Sequence, residues 1–218
     1  KLLACLLLFV SIAASAEEAS YTADRAAMID ELRAYAQFFD RSDDARISDV
    51  VMASMGTVRR HELVPISQRR FSYENRPLPI GHGQTISQPY IVALMSEALN
   101  LTEGDRVLEL GTGSGYQAAI LAQMGCKVYS MEIIDKLAER SSSLLEKLYP
   151  DGEIHTRSGD AYYGWQEHAP FDGIIVTAAG DHIPPPLIQQ LKPGGRMIIP
   201  VGNRFFTQQL LLIEKSAD

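Results

Sequence analysis

An α/β fold is predicted: a Rossmann-like, doubly wound and mostly parallel sheet, with helices near the N-terminus packed on it as an accessory layer. Three observations carry this. From residue 104 onward, short apolar runs alternate with helical stretches, as in strand–helix–strand units whose strands lie parallel. A glycine turn, "GTGSG" at 111–115, joins the first of these runs to its helix. The run "FDGIIV" at 171–176 is almost continuously apolar, which a strand buried on both faces requires.

Taken in order, the first sixteen residues, "KLLACLLLFVSIAASA", have a basic start, an apolar run and small residues at Ala14 and Ala16, before acidic Glu17 and Glu18. This pattern predicts a secretory signal peptide over 1–16, so an exported or periplasmic protein is expected, with no stable membrane association after cleavage. The run is too short to span a bilayer comfortably. A competing reading lipidates Cys5 in "LLAC", but the apolar sequence runs on past it, where a lipoprotein would turn polar.

The remainder, 17–218, reads as one domain. Within 20–80, Met28, Leu32, Tyr35, Ala36 and Phe39 recur at helical steps behind Thr22, a candidate N-cap. A second helix is marked by Ile47, Val50, Val51, Met55 and Val58. "RRHELVPISQRRFSYENRPLPIGHG" is expected to be loop, too polar and proline-broken for an element. Residues 81–103 hold a neutral polar loop, "GQTISQPY", and the helix that follows it. Over 104–218 come "RVLEL", then "YQAAILAQMG" closed by Gly125, "KVYSMEI", a helix with Asp135 as N-cap, "EIHTRSGD", "FDGIIVTAA", the proline-started helix "PPPLIQQL", "KPGGRMIIPVG" as turn and fifth strand, and "QQLLLIEK" as sixth.

Composition narrows the function. Of 218 residues, 46% are hydrophobic and 22% charged, an ordinary globular balance. A formal net charge of −7 with no long basic run disfavours a nucleic-acid partner. Behind the leader Cys126 is the single cysteine, so no internal disulfide is expected. The five histidines lack metal-ligand spacing, no metal is expected, and no G-x-S-x-G nucleophile elbow is present.

The chemistry concentrates where strands end. Gly111, Gly113 and Gly115 allow a tight turn and close approach of a ligand to backbone N–H groups. Their spacing differs from the G-x-G-x-x-G of dinucleotide binders. Glu109, two residues before Gly111, would repel a pyrophosphate but suits a ligand carrying positive charge, as S-adenosylmethionine does through its sulfonium and ammonium. It could equally hold the loop through N–H groups. Glu132 ends the second strand, where an acid accepts hydrogen bonds from ribose hydroxyls. Asp160, in Gly159-Asp160-Ala161 after the third strand, suits the exocyclic amine of adenine. Together these residues mark the edge at which an open α/β sheet binds its ligand. The expected cofactor contacts are Glu109, Gly111, Thr112, Gly113, Ser114, Gly115, Tyr116, Glu132, Gly159, Asp160 and Ala161.

The motifs "TISQPYIVALM", "VLELGTGSGYQAAILA", "GDAYYGWQEHAPFDGIIVTAA" and "PPPLIQQLKPGGRMIIPVG", with "VRRHELVP" upstream, resemble the protein-L-isoaspartate O-methyltransferase family from about Ala45 to Ala217. The resemblance implies a class I methyltransferase fold. It also implies methyl transfer from S-adenosyl-L-methionine to the α-carboxyl of L-isoaspartyl residues, with S-adenosyl-L-homocysteine as product. Isoaspartyl peptides and proteins would be the partners, and a monomer is expected. Thr85, Ile86 and Ser87 would hold the isoaspartyl segment, Ser87 orienting the carboxylate, with Thr177, Ala178 and Ala179 beside the same pocket. Such a reaction needs no strong general base, since a carboxylate is already a nucleophile at neutral pH.

Alternatives stand beside this. Thr85 and Ser87 could simply cap the helix starting near Pro89. Another methyl acceptor, or a cofactor-binding module without catalysis, would use the same glycine turn. Trp165 is expected near the cofactor rim and Pro184–Pro186 as a wall of the cleft. The chain departs from the family at Ala161, Gln88 and Tyr90, and it stops at "IEKSAD" where the family continues for one more strand inside the sheet, so either an incomplete sequence or an unfilled position in the sheet is expected. The family is usually cytoplasmic, which is the alternative to export.

Overall fold

The protein, described here by a computed structural model, is defined over residues 2–39, 46–178, 180–202 and 208–216, with residues 2–16 as backbone only. A six-stranded sheet has the order β5-β4-β3-β6-β7-β8, comprising β3 (Arg106–Leu110), β4 (Lys127–Glu132), β5 (Ile154–Ser158), β6 (Phe171–Val176), β7 (Leu191–Val201) and β8 (Gln209–Glu214). The first five strands in that row up to β7 pair in parallel, and β8 closes the row antiparallel to β7. A separate hairpin pairs β1 (Leu78–Gly81) with β2 (Gln84–Ile86).

The central strands alternate between two apolar layers, as a pleat of period two demands. Val107, Val128, Ile175 and Ile198 face one layer, together with α2 (Asp49–Thr57), α3 (Pro89–Ala98), α4 (Tyr116–Gln123) and α5 (Asp135–Leu148). Leu108, Leu110, Met131, Ile174, Val176 and Met197 face the other, where Leu187 of α6 (Pro185–Gln190) packs. β3 and β6 sit between them, and both are buried almost throughout.

Several expectations need correction. The N-terminal helix does not begin at Thr22: α1 runs from Leu2 to Phe39, and the Thr22 hydroxyl donates back to the Glu18 carbonyl inside it. Its apolar stripe is real, with Met28, Ile29, Leu32 and Ala36 buried and Tyr35 half-buried, while the Phe39 side chain lies outside the described residues. In α2, Val50 points to solvent and Met52 takes the buried place. Ile134, not Asp135, is the N-cap of α5; Asp135 is its first residue and accepts the Ser158 hydroxyl.

The stretch expected as loop contains order. Arg60–Glu62 and Ile66–Phe71 form 3-10 turns, and β1 buries Leu78 and Ile80 while pairing with β2. Gly81, His82 and Gly83 all have positive φ, which closes the hairpin tightly. Beside β7, β8 is hydrogen-bonded in register from Arg196↔Glu214 to Val201↔Gln209, so no open position lies between these two strands. Among the described residues no helix is long and apolar enough to cross a membrane.

Candidate active site

A cleft of about 600 Å³ opens over the C-terminal ends of β3, β4 and β6. The β3–α4 turn forms its floor. The Gly111 and Thr112 N–H groups both donate to the Met131 carbonyl, at 2.8 and 3.1 Å, which ties the turn to β4. Gly111 has φ +101, and a Cβ there would lie 2.6 Å from Thr177 Oγ1. That hydroxyl is itself anchored, donating toward the carbonyls of Leu110 (3.0 Å) and Gly111 (2.6 Å). Only glycine fits, so the turn presses against the loop that leaves β6.

Glu132 bridges two loops. Its Oε2 accepts the Gly113 N–H at 2.8 Å and its Oε1 the Ile134 N–H at 3.0 Å. Each oxygen keeps acceptor capacity for a hydroxyl pair arriving from the cleft. Thr112 Oγ1 and Ser130 Oγ lie 2.6 Å apart, and Ser130 donates to Glu109 Oε2.

Glu109 is fully buried, and its Oε1 has no hydrogen-bond partner among the described residues. Burial is the main reason its carboxyl is pushed up to about 8; the Ser130 hydrogen bond opposes this and the charge on Glu132 adds to it. Burial thus favours the neutral carboxyl in the ligand-free protein. It becomes a negative partner only when a cation approaches, and its orphaned oxygen is suited to one.

Of the expected cofactor contacts, Glu109, Gly111, Thr112, Gly113, Ser114, Tyr116, Glu132, Asp160 and Ala161 line the cleft. Gly115 and Gly159 do not. Gly115 adopts φ +85 as the residue preceding α4, where a Cβ would crowd Leu145, so its role is to shape the turn. Asp160 caps the short Ala161–Tyr163 turn by accepting the Tyr162 N–H at 2.9 Å. Thr85, Ile86, Ser87, Thr177 and Ala178 line the same cleft, whereas Ala179 lies outside the described residues.

Helix capping does not account for the polar loop: the residue before α3 is Gln88, and α3 has no side-chain cap hydrogen bond. Of Pro184–Pro186 only Pro184 stands in the wall, and Trp165 does not line the cleft; it packs edge-on against Tyr129 and His168. The departures Gln88 and Tyr90 also stay out of the lining: Tyr90 turns its ring to Tyr35 of α1, 4.6 Å away, and its N–H donates to Asn75.

Sequence reasoning missed Gln84, Ile133, Tyr162 and His182, all in the lining. Ile133 is 64% exposed despite being apolar, which fits an apolar ligand face yet to be covered. Its position directly after Glu132 was the available signal. Nothing local marked His182.

The chain matches the family model described as protein-L-isoaspartate(D-aspartate) O-methyltransferase over residues 26–218. The chain belongs to this family. It is 55% identical over 214 residues to protein-L-isoaspartate O-methyltransferase 2 of Syntrophobacter fumaroxidans, covering 96% of this chain and 86% of the relative. A solved protein-L-isoaspartate O-methyltransferase superposes with a TM-score of 0.76 at 31% identity, over 88% of this chain and 60% of that one, so this chain spans less than two thirds of its length. A Plasmodium falciparum structure assigned to the same activity, in complex with S-adenosyl-L-homocysteine, superposes with a TM-score of 0.71 at 25% identity, over 88% of this chain and 89% of that one. The family and the topology thus agree with the order of the acids and glycines at the ends of β3, β4 and β5.

Proposed function

We propose that this chain transfers the methyl group of S-adenosyl-L-methionine to the free carboxyl of L-isoaspartyl residues in damaged proteins, initiating their repair to aspartate. The observation that carries this reading is the composition of one continuous cleft. One wall holds the glycine turn with Glu109, Glu132 and Asp160; the other is the neutral segment Gln84–Ser87, formed by β2 and the residue after it. The family membership and the S-adenosyl-L-homocysteine bound to the Plasmodium relative support the cofactor.

The cofactor supplies a methyl group already activated on a sulfonium. The residues hold and align. Glu132 accepts the ribose hydroxyls, Asp160 accepts the adenine amine, Ile133 covers the ring, and the Gly111–Gly113 turn admits the chain bearing the ammonium, whose charge Glu109 balances once ionised. Thr85 and Ser87 present hydroxyls to the isoaspartyl carboxylate, leaving a lone pair free to attack. Alignment and exclusion of water then account for the rate. Ala161 is in the lining and narrows the adenine side by one methyl.

The test is incubation of full-length protein with methyl-labelled S-adenosylmethionine and an isoaspartyl peptide, beside the same peptide with ordinary aspartate. Base-labile label on the first peptide alone is expected. No ester on it would refute the repair reading and favour another methyl acceptor; failure to bind the cofactor would favour neither.

We also read residues 1–16 as an export signal, on their basic start, apolar run and Ala14-Ser15-Ala16, and the mature protein as a periplasmic monomer without membrane attachment. Fractionating cells that express the chain with and without residues 1–16 tests this; equal distribution of the two would refute it.

A further inference from the structure

The proposed substrate is an anion, and beside Glu109, which the cofactor's ammonium would balance, the lining holds two further acids and no Lys or Arg among the described residues. Its single imidazole, His182, is paired with Asp181 at 2.5 Å. A positive charge lies one layer behind. Arg60 is fully buried, and the groups that face its charge are the Tyr116 and Tyr73 rings, not a carboxylate. Burial lowers it to about 10, so it is still charged at neutral pH.

Two carbonyls hold the guanidinium. Nε donates to Ser72 and Nη2 donates to Ser87, both at 2.7 Å. It stacks on the ring of Tyr116 at 4.6 Å. Both Ser87 and Tyr116 line the cleft, and the Tyr116 hydroxyl faces the guanidinium. A buried cation with no carboxylate partner costs folding energy.

We propose that Arg60 is a positioning residue for the isoaspartyl carboxylate, fixing the Ser87 segment and supplying from behind the wall a positive charge that the lining side chains do not provide. This rests on the reading of Gln84–Ser87 as the substrate wall. The placement suits the reaction. A guanidinium forked directly onto the carboxylate would bind one lone pair on each oxygen and draw charge from the one that must attack the methyl group. One layer back, it favours the anion and leaves those lone pairs to the hydroxyls. A unit charge about 10 Å away at an effective dielectric near 20 is worth roughly tenfold in binding.

The test compares two peptides: the isoaspartyl substrate, and the same peptide with its α-carboxyl converted to a neutral carboxamide, used as a competitor. Arg60→Gln should raise KM for the carboxylate about tenfold while changing Ki for the carboxamide less than twofold. S-adenosylhomocysteine affinity should hold. Arg60→Lys should keep the carboxylate-to-carboxamide ratio at low pH and lose it as pH rises, because burial pulls a lysine's charge into the working range. If both peptides weaken equally, Arg60 is only structural and the proposal is overturned; so too if neither changes.

Should Arg60→Gln fail to fold, the unaltered protein still decides. Its preference for carboxylate over carboxamide should persist at high salt, because a buried charge is little screened; absence of that preference, or its loss with salt, overturns the proposal. Ser87→Ala in the same assay separates the two layers of argument. If it leaves methyl transfer unchanged, the substrate-wall reading fails; if it impairs transfer while Arg60→Gln does not, only the role of Arg60 fails.

Discussion

Gly111→Ala is expected to disable the site through one contact. The new Cβ would sit 2.6 Å from Thr177 Oγ1, against at least 3.4 Å for ordinary contact, so something must shift by about 0.8 Å. Thr177 cannot swing aside freely, because its hydroxyl is held by the Leu110 and Gly111 carbonyls. The backbone at φ +101 adds strain of about 1–3 kcal/mol for a non-glycine residue. Losing one of the two hydrogen bonds adds about 1 kcal/mol. Stability should therefore fall by about 2–4 kcal/mol. A displacement near 1 Å in a positioning loop costs on the order of 100-fold in rate, so kcat/KM should drop by about that factor. The assay is a double-mutant cycle with Thr177→Ala, read by thermal unfolding and by methyl transfer. With the hydroxyl gone, the nearest atoms to the Cβ are those of Ala178 at 3.5 and 3.6 Å, ordinary contacts. The double variant should be about 1 kcal/mol more stable than additivity predicts. Strict additivity, or wild-type activity in Gly111→Ala, would refute the argument that this contact fixes the turn.

Other consequences follow from the same geometry. The Glu109 carboxyl stands at about 8 in the folded chain against an ordinary 4.5, so between those values the folded state holds a proton that the unfolded state has lost. Stability of the ligand-free protein should thus fall as pH rises through that window, by up to about 1.4 kcal/mol per pH unit, and Glu109→Gln should flatten the slope. Binding of S-adenosylmethionine near pH 7 should release a proton, measurable as a heat that varies with buffer ionisation enthalpy; no release would mean that Glu109 does not meet the ammonium. Ser87→Ala should cut methyl transfer about tenfold or more while changing S-adenosylhomocysteine affinity less than twofold; a parallel loss of cofactor affinity would argue for a purely structural Ser87. Gly164 has φ +65, and a Cβ on it would land on the Gln190 amide, which holds the Trp165 N–H and the Tyr163 carbonyl. Gly164→Ala should lower stability by about 2–3 kcal/mol, seen as a lower Tm, and an unchanged Tm would show that this loop is not braced by Gln190.

The sequence by itself determined the alternation of strands and helices, the parallel core, the glycine turn and the acids at the ends of β3, β4 and β5. These are signals of short range: a period of two or 3.6, a glycine where φ must be positive, a carboxylate at a strand end. Tertiary structure decided what depends on distant partners. β1 and β2 became strands only by pairing with each other, since neither run is apolar enough to announce itself. Thr22 and Asp135 carry side chains that suit caps, yet continuous helix through Thr22 and the turn at Ile134 left neither as one. Glu109 was legible as a site residue but not as a neutral one, because its protonation follows from burial beneath two loops. Arg60 stands in a run of two arginines, where a solvated face is the ordinary expectation. Only the meeting of Ser72, Ser87 and Tyr116 around it, from segments 12 to 56 residues further along the chain, makes it a buried cation behind the substrate wall. Sequence carries what each residue does to its own backbone; the electrostatics of the cleft arise from groups that the fold alone brings together.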